Sequence, residues 1–69
     1  MVRGKVKFFD DTKGWGFISG DNGDSYFVHH RDICVDGWRT LSEGQLVEFD
    51  VETTDRGRKA ANVYVIVEG

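Results

Sequence analysis

A chain of 69 residues with no proline, 39% hydrophobic and 30% charged, is predicted to make one globular domain over residues 1–69 with a modest core. Its formal charge of -3 excludes a partner held mainly by bulk positive charge, although local fields can differ from the whole-molecule sum. It lacks the eighteen-residue apolar run of a membrane span, Met1 to Lys5 lacks the apolar core of a secretory signal, and a lone Cys34 fits a reducing, cytoplasmic setting.

From Val2 to Asp10 the residues alternate, with Arg3, Lys5, Lys7 and Phe9 on one side and Val2, Gly4, Val6 and Phe8 on the other. This period of two predicts the first strand. Asp10 to Gly14 is a polar turn. Gly14 to Ser19 is the second strand, whose glycines permit curvature and close approach of another backbone, as closure of a small barrel requires. Asn22-Gly23 is a strong hairpin signal, and Ser25 to His30 follows as the third strand. Arg31 to Glu43 has no sustained period and reads as a long connection with a helical turn near Arg31–Cys34. Gly44 to Glu52 is a fourth strand with Val47, Phe49 and Val51 turned inward, Thr53 to Lys59 a polar loop, and Ala60 to Val67 a β-branched fifth strand. Five short antiparallel strands with one long crossing predict an all-β closed barrel, because an open sheet of this size would leave two bare edges. The Greek-key OB-fold has this strand count, and so does the SH3-like barrel. Patterning alone does not separate them.

On the second and third strands, Trp15 and Phe17 share one face, as do Phe27 and His29, while Ile18, Tyr26 and Val28 take the other. The aliphatic side suits a core, so the rings are expected on the surface. Large rings grouped in water mark a binding face. Flat rings without pocket walls, beside lysines, suit the unstacked bases of a single nucleic-acid strand. Lys7 and Lys13 are placed to meet phosphates, Arg56 and Arg58 to clasp the strand from a loop, and Trp38 to cover a base or to cap the barrel end. The acidic residues Glu43, Glu48, Asp50 and Glu52 fall in a different part of the chain.

Gly4-Lys5-Val6-Lys7-Phe8-Phe9, Lys13-Gly14-Trp15-Gly16-Phe17-Ile18, Phe27-Val28-His29, Thr40-Leu41, Glu43-Gly44-Gln45 and Ala60-Ala61-Asn62-Val63 resemble the bacterial cold-shock proteins. The likeness runs from about Arg3 to Val63. It implies an OB-fold that binds single-stranded RNA and DNA with low sequence selectivity, leaning to pyrimidines, and that works as an RNA chaperone or in transcription antitermination or regulation. Carried over by position, the binding surface falls on Lys7, Phe8, Lys13, Trp15, Phe17, Phe27, His29, His30, Trp38 and Arg56, with Phe9 and Asp24 at its margins. Three departures from the family pattern stand out. His30 occupies a position usually aromatic, giving a weaker platform that can take a proton. Arg58 replaces the common proline after Gly57, while the Arg31-Asp32-Ile33-Cys34-Val35-Asp36 segment is more charged than is usual and Tyr26 is bulkier than the common valine.

Other readings have less support. Adjacent strand histidines point to opposite faces and Cys34 has no second cysteine, so neither a metal nor another cofactor is expected. Ser19, Ser25 and Ser42 have no catalytic context and no P-loop is present, so neither an enzyme nor a small-molecule site is expected. A barrel using its aromatic face for a peptide or a second copy is the rival from another class. A monomer without membrane contact is the expectation.

Overall fold

The computed structural model describes residues 1–34 and 41–66. Five strands form it: β1 (Val2–Asp10), β2 (Trp15–Gly20), β3 (Ser25–His29), β4 (Leu46–Thr54) and β5 (Gly57–Val65), with a single 3-10 turn at His30–Asp32. They close into a barrel in the order β1-β2-β3-β5-β4, with β4 returning to β1. The pairings are antiparallel except at the closure, where β3 meets β5 in parallel through Phe27 and Lys59. This five-stranded closed barrel is the expected all-β architecture and is consistent with an OB-fold.

The interior follows from the alternation. Ile18, Val28, Val47, Phe49, Ala60 and Val63 are fully buried, and Tyr26 joins them at 1% exposure. Tyr26 stands edge-on to Phe49 with ring centroids 5.0 Å apart, and Asn22 Nδ2 donates to its phenol oxygen at 2.8 Å. Asn22 thereby shapes the β2–β3 turn and satisfies the one polar atom that the bulkier ring brings inside. Its Oδ1 also accepts from the Asp24 amide at 3.1 Å.

Three local features depart from strict periodicity. The β1–β2 register shifts between Val6 and Phe8. This bulge reverses the phase expected from the sequence, so Phe8 stands on the outer face, 43% exposed, and Phe9 packs against the core. A second register shift, between Glu48 and Asp50, lets β5 bend at Asn62, whose φ of 50° is tolerated by asparagine. Asn62 Nδ2 donates to Asp50 Oδ2 at 3.2 Å. Val51, expected inside, is 41% exposed beyond this point.

The segment from Thr53 to Lys59 is also not the loop its polarity predicts. The β4–β5 ladder runs out to Thr54 and Gly57, leaving a two-residue turn, Asp55-Arg56. Gly57 has a φ of 119°, and Thr54 Oγ1 donates to the Gly57 carbonyl at 2.8 Å. Hydrophobic alternation reports burial, whereas backbone pairing on an exposed arm needs none.

Gly16 marks the closest approach between β1 and β2, since a Cβ there would lie 2.7 Å from the Phe9 Cα and meet the Phe8 carbonyl oxygen as well. Gly16→Ala must displace backbone, so it is expected to destabilise the barrel by more than the roughly 1 kcal/mol of an average substitution. Tyr26→Phe, which removes one hydrogen bond, is expected to cost about 0.5–1.5 kcal/mol. Urea midpoints of the two variants against the parent check both the signs and the order.

Candidate nucleic-acid interface

Opposite the core, β1, β2 and β3 carry a contiguous set of rings. Phe8 lies 5.9 Å from Trp15 and 5.6 Å from Phe17, between centroids. Trp15 and Phe27 stack at 6.0 Å, with an interplanar angle of 29°. Phe17 stands edge-on to Trp15 at 6.0 Å and to Phe27 at 5.8 Å. Trp15, Phe17 and Phe27 are half-buried, sheltered mainly by one another, and cross-strand pairing of Phe17 with Phe8 and Phe27 holds the group in place.

His29 and His30 extend this face, their ring centroids 4.3 Å apart. They fall on different elements, because β3 ends at His29 and the 3-10 turn begins at His30. The His30 amide donates to the Gly14 carbonyl at 2.8 Å, and its ring lies where a Gly14 side chain would be: a Cβ there would fall 2.6 Å from His30 Cδ2. Gly14, at φ 78°, is thus required both by its turn and by this ring. His29 Nδ1 accepts from the Arg31 amide at 3.3 Å, so a neutral ring keeps its hydrogen on Nε2. Partial burial, then the nearby His30 and Arg31 charges, lower the His29 pKa from the ordinary histidine value.

The basic residues frame the rings. Lys7, exposed at the β1 bulge, reaches Ser25 Oγ with its Nζ at 3.3 Å. Lys13 is exposed on the β1–β2 turn, which Asp10 Oδ1 shapes by accepting from the Thr12 and Lys13 amides, both at 3.0 Å. Across the barrel seam, the β4–β5 arm brings Arg56, Arg58 and Lys59 against Phe17 and Phe27, around a groove of about 390 Å³. Arg56 is exposed on the two-residue turn, its amide donating to Thr54 Oγ1 at 3.2 Å. Arg58 pairs with Asp24 on the β2–β3 turn. Lys59 Nζ lies 3.5 Å from Asp32 Oδ2, a buried oxygen with no hydrogen bond among the described residues, and 4.0 Å from Glu52 Oε1.

The fold therefore brings eight of the ten predicted residues to one side, Lys7, Phe8, Trp15, Phe17, Phe27, His29, His30 and Arg56, while Lys13 is exposed on the adjoining β1–β2 turn. Trp38, the tenth, lies outside the described residues. Lys59, which clusters with Arg56 and Arg58 in the sequence, and Thr54, which the sequence does not mark, also line the groove. Lys59 is carried to the groove by its parallel pairing with Phe27, which local periodicity cannot show. Among the described residues, no group of three or more His, Cys, Asp and Glu is arranged to hold a metal ion, and no helix is long and apolar enough to cross a membrane.

Residues 2–66 match the model of the 'Cold-shock' DNA-binding domain. The chain belongs to the cold-shock domain family. The cold-shock domain here is 54% identical over 63 residues to cold shock protein 1 of Lactiplantibacillus plantarum, covering 91% of this chain and 96% of that one. It is equally identical, with the same coverage, to cold shock protein CspC of Bacillus subtilis. A cold shock-like protein of Thermotoga maritima is 49% identical over 65 residues, covering 94% and 98% of the two chains. The cold-shock domain is a nucleic-acid-binding family, and membership extends over nearly the whole chain.

A lowered His29 pKa means that the folded state disfavours its proton. Its contribution to stability is therefore complete above about pH 6.5 and declines as the pH falls below that value. NMR titration of the His29 ring is expected to give a midpoint below the ordinary value, and His30→Phe, by removing a neighbouring positive charge, is expected to raise it part of the way back.

Proposed function

We propose that this protein is a monomeric, cytoplasmic, single-domain binder of single-stranded RNA and DNA, without enzymatic activity, that acts as an RNA chaperone. Bases lie on Trp15, Phe17, Phe27, Phe8 and the two histidines, while Lys7, Lys13 and Arg56 meet the phosphates and Trp38 contributes from the long connection. The observation that carries this reading is the group of Phe8, Trp15, Phe17 and Phe27 rings standing outside a filled barrel, each within 6.0 Å of at least two others, with Arg56, Arg58 and Lys59 at the groove beside them.

The chemistry follows from that surface. Every base has a π-face, so stacking gives affinity with little sequence selectivity, at about 1–3 kcal/mol per base by alanine substitution. Micromolar to nanomolar affinity corresponds to about -8 to -12 kcal/mol, which a few such platforms and phosphate contacts supply after the ordering of the strand is subtracted. Duplex RNA hides its base faces, so the protein favours unpaired strands. It shifts RNA folding equilibria by that differential affinity, with no fuel. Acting on a nascent transcript, the same shift gives antitermination or transcription regulation.

Titration with a short oligothymidine tests the reading. Tryptophan fluorescence is expected to quench, and Phe17→Ala and Phe27→Ala each to weaken binding by about 1–3 kcal/mol with the barrel intact. With about three to five phosphates neutralised, log Kd against log salt is expected to have a slope of magnitude roughly 2–3.5. Absence of binding at low salt removes the proposal, and a slope magnitude above about 6 removes stacking as its main source of affinity.

A further inference from the structure

The Asp24–Arg58 pair has a position that its exposure alone does not explain. Arg58 Nη1 and Asp24 Oδ2 join the β4–β5 arm to the β2–β3 turn, two elements 34 residues apart in sequence. Arg58 lines the groove beside Phe17 and Phe27, so the bridge holds a groove residue to the β2–β3 turn. Both side chains are about half exposed, 56% for Arg58 and 48% for Asp24. An ion pair this open to water adds little stability and is easily exchanged. The neighbouring Lys59 is engaged differently, half-buried between Asp32 and Glu52, which ties it to the barrel.

We propose that Arg58 is a further nucleic-acid contact, held in reserve by Asp24 and released to a phosphate of the bound strand. The inference rests on the aromatic face being the binding surface. Bases lying on Phe17 and Phe27 carry their backbone past the groove wall where Arg58 stands. A guanidinium matches two phosphate oxygens as well as it matches two carboxylate oxygens. The incoming phosphate takes the place of the Asp24 carboxylate, whose charge would otherwise oppose the strand. Asp24 thus lowers affinity in proportion to the strength of its pair with Arg58 and keeps the unliganded groove electrically balanced.

Three variants, Asp24→Asn, Arg58→Gln and the double variant, are titrated with a short oligothymidine over a range of salt concentrations, with urea midpoints confirming that each is folded. Asp24→Asn is expected to tighten binding at low salt by about two- to fivefold, the range spanned by exposed charge pairs. Adding Arg58→Gln is expected to reverse that gain and to lower the slope magnitude by about 0.7, the signature of one lost phosphate contact to a single strand. Weaker binding by Asp24→Asn would show that the bridge persists in the complex and would overturn the proposal, as would an unchanged slope on adding Arg58→Gln. Binding by the parent protein with either of those results defeats this inference alone; no binding by the parent protein defeats the stacking face with it.

Discussion

The volume of the barrel interior is the constraint behind the rest of the structure. Tyr26 and Phe49, with Ile18, Val28, Val47, Ala60 and Val63, fill it at 0–1% exposure, and Val6, Ile33 and Leu41 complete the core. Strand geometry then leaves Trp15, Phe17 and Phe27 no inward option, since they alternate with those residues along β2 and β3. Their exposure follows directly from filling a small closed sheet. What remains specific is how the rings are kept apart from collapse: cross-strand pairing spaces them 5.6–6.0 Å apart, mostly tilted or edge-on, so faces stay open to a ligand.

Electrostatics follow the same partition. The carboxylates Glu48, Asp50 and Glu52 sit on β4, which pairs with β1 and β5 and is separated from β2 and β3 by those strands. Glu48 lies across from Arg3, and Glu52 across from Lys59. A chain with net charge -3 therefore carries Lys7 on the ring-bearing side and Arg56 at the groove beside Phe17 and Phe27. In the function proposed, affinity taken from π-faces needs only modest help from charge.

Much of this was legible in the chain. Alternation in β2 and β3 identified both the core and the ring-bearing face, and Asn22-Gly23 located its turn. The family likeness placed Phe8 on the outer face, where plain alternation had put it with Val6. The reversal comes from a bulge, and a single inserted residue has no hydrophobic signature of its own. The β4–β5 arm read as a loop because residues with no buried side have no pattern to display. The Lys59–Asp32 and Asp24–Arg58 bridges have no local signature because they depend on elements brought together only when the barrel closes.

That closure is narrow. Between β3 and β5 a single registered pair, Phe27 with Lys59, stands against the long antiparallel ladders elsewhere, with the Ile33–Val63 bridge beyond it. Few backbone bonds are lost when such a seam parts, so it is the cheapest line along which the molecule can breathe. Phe27 sits on that line. Widening it alters the spacing between the Phe27 ring and the cationic arm while the β1–β2–β3 meander stays whole.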